Sequence, residues 1–202
     1  MAHGNLLTFG RGGIHPDTHK ERTAGRPIEP LTPPPSEVWL PLVQHLGDPA
    51  SPIVAKGDRV VRGQKIAEGV GTGVPIHATI TGKVKPLDKR PHPTLVSCPA
   101  IIIAGSGEDE ELAFPEDPDW RALDRAESLA RIKEAGVVGL GGAAFPTWRK
   151  LDLPPTLSID TFILNGAECE PYLTSDYRTM LAHPREVVEG SEVIVIHSAW
   201  LV

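Results

Sequence analysis

Short apolar runs and turn residues alternate along residues 36–104, and the runs are too short for helices. Turns such as Lys56-Gly57-Asp58 and Thr81-Gly82 separate them. Such a pattern is typical of strands joined by tight turns. The two halves of the segment are similar, so we predict a small flattened barrel of hairpins. The expected strands are Glu37–Val43, Ile53–Ala55, Arg59–Val61, Lys65–Ala67, Ile76–Ile80, Lys83–Leu87 and Ala100–Ala104.

The segments on either side of this module differ from it in composition. Residues 1–35 begin glycine-rich and end in a run of prolines, which excludes helix and favours an extended arm in polyproline II or a wrapped strand. A disordered tail is the alternative for this composition. Residues 105–119 contain an unbroken acidic run, Glu108 to Glu111, and are predicted to be a solvated linker between domains.

The pattern changes to α/β character over residues 120–202. Asp124 and Glu127 have the spacing of a capping box, and Gly136 suits the end of the helix that follows. Thr161–Leu164 is predicted to be a short buried strand, and Ser175 is predicted to begin a helix through Met180. Pro184 suits the first turn of another helix, while Val193–Ile196 has strand propensity, so both structures stay open there.

Charge and composition narrow the function classes. The net charge is −6, which argues against nucleic acid as a partner, since phosphate binding needs a basic face. No apolar run reaches the roughly 18–20 residues of a membrane span, and the N-terminus lacks the pattern of a secretory signal. Cys98 and Cys169 form no CxxC pair, and two cysteines are too few for an iron–sulfur cluster. We expect a cytoplasmic protein that reaches a membrane only through partners.

The first candidate binding motif is the glycine-rich stretch Gly139–Thr147. Three glycines in four positions let the backbone approach a ligand closely, and successive amides form a concave anion site. Lys150 follows and adds a cation. The stretch also fits the GxGxxA pattern of a dinucleotide turn, but only Val137 and Val138 stand where a full strand should precede it. A plain glycine-rich turn is the alternative.

The second motif is Asn165–Tyr172, directly after the predicted strand. Loops at the carboxyl ends of buried strands are where α/β sheets place ligands. Glu168 and Glu170 would share a face of an extended segment, either as a general acid/base pair or as partners of a ribityl or sugar chain. Cys169, on the opposite face, is expected to be a small buried residue and not a nucleophile. A solvated loop is the alternative.

Together the sequences GLGGAAFPT and NGAECEPYLTSDYR resemble the flavin-binding region of RnfC, a subunit of the Rnf/Rsx electron transport complex. They are more distantly similar to the NADH-binding flavoprotein subunit of complex I. The opening FGRGGIHPDTHKERTAGRPIEPL resembles the family's first segment, and VAKGDRVVRGQKIAEG with PIHATITGKV resembles its barrel-sandwich domain. The implied fold is α+β in several parts: an arm (1–35), a barrel-sandwich-like β module (36–104), an acidic linker (105–119) and the start of an α/β FMN- and NADH-binding domain (120–202).

The family resemblance also implies a function. The RnfC subunit takes hydride from NADH onto FMN and passes electrons to 4Fe-4S clusters, as part of an NADH:ferredoxin oxidoreductase that moves ions. It is peripheral, on the cytoplasmic side of the inner membrane, and its partners are the other subunits. The cluster-binding cysteines are expected only in a C-terminal part of the family that this sequence does not contain.

The family's site residues can be placed by motif. The glycine-rich loop would wrap the flavin, with Phe145 packed nearby and Lys150 at its polar side. Asn165 and Glu168 match a loop that contacts flavin and NADH, although Ala167 stands where the complex I relative has an aspartate. The implied cofactor-binding residues are Gly139, Gly141, Gly142, Ala143, Ala144, Phe145, Lys150, Asn165, Glu168 and Glu170.

Three other interpretations compete with this one. A lipoyl or biotinyl carrier module would present a lysine at the hairpin tip, but Gly69–Gly73 has none. His15 and His19 have a metal-ligand spacing that aligns them only on a helix, which Gly13 and Pro16 disfavour. A non-catalytic scaffold or docking piece is the third, because the electron acceptors are absent from this sequence.

Overall fold

The computed structural model describes residues 16–140, 142–154, 156 and 161–197, with backbone alone for Ile196 and His197. The described residues form two compact units. One consists of residues 16–29 and 164–187, and we call it the polar unit. The other consists of residues 30–163 and 188–197 and contains the β module.

The β module consists of two antiparallel sheets. In one, the strand order is β1-β8-β6-β3, with β7 also paired to β8; in the other it is β2-β4-β5. The strands are β1 (Glu37–Pro41), β2 (Ser51–Pro52), β3 (Arg59–Val60), β4 (Lys65–Glu68), β5 (Ile76–His77), β6 (Gly82–Val84), β7 (Asp88–Pro91) and β8 (Ser97–Gly105). Most predicted strands are thus present in shorter form, while the predicted strand Ile53–Ala55 is replaced by β2 just before it. The expected small β module, the first part of the fold, is therefore confirmed in outline.

Strand β8 is the centre of the module because its sequence is apolar without alternation. Ile101 and Ile103 are fully buried and Ile102 is 2% exposed, as expected for a strand covered on both faces. The partners of β8 lie close: at Gly82 on β6, an added Cβ would collide with the carbonyl oxygen of Ala104. Each fully buried aliphatic side chain of this kind stabilises the fold by about 1.5–3 kcal/mol.

The helices are α1 (Arg125–Glu134), α2 (Thr147–Leu151), α3 (Ser175–Ala182) and α4 (Pro184–His197). The predicted capping box is confirmed: the Asp124 carboxylate accepts from the Glu127 amide, and the Glu127 carboxylate accepts from the Asp124 amide. Gly136 ends α1 with φ of +72°, as predicted. The open question at Val193–Ile196 is resolved as helix, within α4.

Two sequence expectations differ from the structure. Thr161–Leu164 is not a strand, and Ile163 is 80% exposed. The apolar pattern was correct for a strand, but among the described residues no other strand pairs with it. The acidic segment, predicted as a solvated linker, instead contacts the module: Arg59 pairs with Glu108 and Glu110, and Arg62 pairs with Glu111.

Candidate functional site

The glycine-rich loop is a narrow hairpin turn beside α2. The Gly139 amide donates to the Phe145 carbonyl at 2.9 Å, and the Thr147 amide donates to the Val137 carbonyl at 3.0 Å. These two bonds close the base of the loop, so the glycines project from it. Gly141, one of the predicted ligand residues, lies outside the described residues.

The loop forms one wall of a small pocket of about 280 Å³. Six of the predicted cofactor residues meet there: the lining consists of Gly139, Gly142, Ala143, Ala144, Phe145 and Lys150. The absence of a side chain at Gly139 matters, because an added Cβ would collide with the Lys150 ammonium. Ala144 is held in the left-handed region with φ of +50°, which costs an alanine about 1 kcal/mol.

Lys150 gives this pocket its charge. No carboxylate of the described residues pairs with its ammonium, whereas neighbouring Arg149 is paired with Asp152 at 3.0 Å. An unpaired cation beside backbone groups that carry no side chains suits an anionic ligand. The volume is just below the 300–1,000 Å³ usual for ligand pockets. The pocket therefore suits part of a flavin nucleotide, such as its phosphate or an electron-rich edge of its ring.

The β module supports this loop from the side away from Lys150. The Leu46 amide donates to the Ala143 carbonyl at 3.1 Å. A second cavity, of about 570 Å³, lies between the module and the loop and is lined by Val43, His92 and the loop alanines. Sequence reasoning missed Leu46, since a contact through a backbone amide leaves no trace in residue type.

Helix α1 is held to the same module. Lys65 pairs with Glu134 and, at 3.0 Å, with Glu68. Hydrogen bonds from these two carboxylates raise the pKa of Lys65, so its charge is secure. His77 packs against Gly136, where an added Cβ would lie 3.4 Å from its ring, and burial lowers the pKa of His77. The glycine-rich loop therefore leaves α1 from an anchored position.

The second motif belongs to the polar unit, where its acidic residues have structural partners. The Asn165 side-chain oxygen accepts from the Ala167 amide at 3.0 Å and turns the chain. The Glu168 carboxylate accepts from the Tyr177 amide in the first turn of α3 at 3.0 Å. Thr174, the residue before α3, makes no side-chain cap, so Glu168 supplies that cap from outside the helix.

Glu170 and Cys169 differ from the sequence expectation. Cys169 is exposed, not buried, because the chain bends at residues 169–170 and does not continue as an extended strand. Its thiol donates to the Glu170 carboxylate at 3.1 Å. This hydrogen bond, and then the charge of Glu170, raise the pKa of Cys169. Glu168 and Glu170 thus have separate partners, and nothing in their contacts pairs them for acid/base chemistry.

The histidine considered as a metal ligand has another role. His19 stacks on the Tyr172 ring, with centroids 4.8 Å apart and planes 18° apart. His15 lies outside the described residues. Within the part of the chain that the structure describes, no three His, Cys, Asp or Glu side chains converge on a metal position. The same part contains no helix with the length and apolar character needed to cross a membrane.

Comparison with known proteins matches both halves of the chain to one family. Residues 8–108 match the family model described as the RnfC barrel sandwich hybrid domain. Residues 132–199 match the model described as the Nuo51 FMN-binding domain. The second match includes both candidate motifs.

Curated relatives agree with these matches. The chain is 48% identical over 192 residues to the RnfC subunit of the proton-translocating ferredoxin:NAD(+) oxidoreductase complex of Clostridium ljungdahlii, covering 94% of this chain and 42% of that protein. It is 41% identical over 187 residues to the Na(+)-translocating counterpart of Acetobacterium woodii, covering 89% of this chain and 41% of that protein. The chain therefore spans less than half the length of these relatives. On the evidence of the family models and these relatives, the chain belongs to the RnfC family.

Proposed function

We propose that this chain supplies the flavin- and NADH-binding part of the RnfC subunit in an ion-translocating ferredoxin:NAD(+) oxidoreductase. The single observation that carries the proposal is the Lys150 pocket, where a glycine-rich loop and an unpaired ammonium meet inside a segment that matches an FMN-binding domain. The names of the relatives support the rest of the assignment.

In this function the chain's own residues bind and orient. Gly139 and Gly142 leave the pocket floor without side chains, and Lys150 holds negative charge on the flavin nucleotide. FMN, when bound, accepts hydride from NADH and releases electrons one at a time to iron–sulfur clusters. Asn165, Glu168 and Glu170 are proposed to serve NADH binding, with Glu168 fixed by α3. The clusters would lie in a part of the subunit beyond these residues.

The same proposal assigns partners and place. The relatives are named as subunits of complexes that move protons or sodium ions, so we propose that this chain binds the other subunits of such a complex. It would sit peripherally, on the cytoplasmic side of the inner membrane. Because the pocket holds only part of a flavin, we expect the chain alone to bind FMN weakly and to turn over NADH poorly.

Flavin fluorescence titration tests the proposal. Lys150→Ala should weaken FMN binding roughly tenfold, which corresponds to about 1.4 kcal/mol. Gly139→Val should weaken it further, because the new side chain collides with the Lys150 ammonium. Lys56→Ala, in a turn of the β module, removes a lysine outside the pocket and should leave the titration unchanged. Equal titrations for all four proteins would reject this pocket as the flavin site and favour a scaffold function.

A further inference from the structure

Four hydrogen bonds tie an early stretch of the chain to the Asn165–Leu173 loop and to α3. We call residues 18–24 the arm segment and residues 165–173 the NADH loop. The Tyr172 amide donates to the Thr18 carbonyl at 2.7 Å, and the Thr23 hydroxyl donates to the Tyr172 carbonyl at 3.0 Å. The other two bonds run from Lys20 Nζ to the Leu173 carbonyl at 2.8 Å and from Arg178 to the Ala24 carbonyl at 3.2 Å. Both backbone groups of Tyr172 are thus occupied by the arm segment.

Ring contacts reinforce these bonds. His19 stacks on Tyr172, and the Arg22 guanidinium lies 5.9 Å from the centre of the Tyr172 ring. Both stacked residues have left-handed backbones, with φ of +50° at His19 and +68° at Tyr172. A bulky residue holds such a conformation only where its surroundings impose it. Here each of the two residues supplies part of the surroundings of the other.

The polar unit has little else to fix the loop. Among its described residues only Thr174 is buried, and Tyr172 itself is 50% exposed. Apolar burial therefore contributes little, and the shape of the loop depends on hydrogen bonds and stacking.

The far end of the NADH loop is fixed separately. Glu168 accepts from the Tyr177 amide of α3. Gly166 lies against Met180, so close that an added Cβ would be 2.7 Å from its sulfur. Helix α3 therefore holds residues 166–168, whereas the arm segment holds residues 172–173.

We infer that the arm segment is a brace that holds the NADH loop in its binding conformation, with His19 and Tyr172 as positioning residues. This inference rests on the proposed function for its ligand, NADH. It assigns the segment a role in cofactor binding that its glycine- and proline-rich composition does not suggest. Neither His19 nor Tyr172 has to touch NADH for the brace to operate.

Variants that remove a ring while keeping a left-handed backbone isolate the brace. His19→Asn and Tyr172→Asn do so, because asparagine tolerates positive φ better than most residues. Tyr172→Phe keeps the stacked ring and is the conservative variant. Tyr177→Asn is the matched control, since Tyr177 has similar exposure in the same unit and makes no stack with His19.

Two readouts are needed on the whole chain. The first is hydrogen exchange of the Tyr172 amide and its neighbours in the NADH loop. The second is NADH affinity from NADH fluorescence. His19→Asn and Tyr172→Asn should each speed exchange of the Tyr172 amide and weaken NADH binding by about three- to tenfold, the range an aromatic stack supports. Tyr172→Phe should restore both, and Tyr177→Asn should change neither.

The outcomes separate the inference from the function on which it rests. Unchanged exchange in both ring-deletion variants overturns the brace. Faster exchange with unchanged NADH affinity overturns the positioning role. If the wild-type chain fails to bind NADH, the proposed function of this loop falls and the positioning role falls with it, while exchange still decides whether the arm segment holds the loop. Thermal unfolding of the β module should stay constant throughout, which excludes global loss of structure.

Discussion

The β module and the polar unit are held together by different interactions. The module has a core in which Val60, Ile66, Ile101 and Ile103 are completely buried. The polar unit has one buried residue among those described, Thr174, and depends on hydrogen bonds, ion pairs and one aromatic stack. Apolar burial tolerates the loss of a surface contact, whereas a polar network fixes a shape only while most of its members remain.

Backbone strain follows the same division. Among the described residues, the non-glycine positions with positive φ are His19, Ala144 and Tyr172. Ala144 lies in the Lys150 pocket, and the other two form the stack beside the NADH loop. None lies in a strand of the β module. Strained residues of this kind collect at binding sites, where the surrounding structure over-determines them, so their positions support both proposed sites independently of any motif.

The largest expected effect lies in the core. Ile101→Ala should lower the free energy of unfolding by about 2–5 kcal/mol, because β8 is covered on both faces and the cavity cannot collapse fully. Val96→Ala, at a side chain 99% exposed, is the matched control and should change it by less than about 0.5 kcal/mol. Urea unfolding measures both. Similar small losses for the two variants would contradict a module stabilised by its core.

The same contrast explains how much could be predicted from sequence. Strand β8 was predicted because its apolar run has no alternation. Strand β7 was missed because its four residues are mostly charged and end in proline, and it forms only by pairing with β8. Thr161–Leu164 was wrongly predicted as a strand from local composition, which contains no information on pairing partners.

The candidate site shows the same limit. The local pattern of glycines and Lys150 predicted residues that do line one pocket. The supports of each loop could not be predicted, because they come from distant segments and act largely through backbone atoms. The Leu46 amide at Ala143 and the Thr18 carbonyl at Tyr172 are examples. The domain boundaries drawn from composition remain a prediction.

A smaller effect is expected where helix α1 joins the module. Asp124→Ala removes the side-chain acceptor of the capping box and should cost about 1 kcal/mol of unfolding free energy. Asp119→Ala is the control, because Asp119 precedes a short 3-10 turn without capping it by its side chain. Urea unfolding followed by far-ultraviolet circular dichroism checks this. A loss for Asp124→Ala spread over the same transition as Ile101→Ala would show that α1 shares the stability of the module.

The smallest effect on stability, and the most local, is expected at Cys169. The Glu170 carboxylate accepts a hydrogen bond from the thiol and raises its pKa, so the thiolate is scarce at neutral pH. Glu170→Gln removes the charge and should lower the pKa, so that alkylation by iodoacetamide becomes faster at a given pH and its pH profile moves to lower values. Glu168→Gln is the matched control, since the Glu168 carboxylate faces the first turn of α3. Cys98 is buried and should stay unreactive in the folded chain, and unfolding free energies should agree within about 0.5 kcal/mol. If Glu168→Gln moved the profile as far as Glu170→Gln, the polar unit would respond as a whole to any lost carboxylate, and separate supports for the two ends of the NADH loop would be excluded.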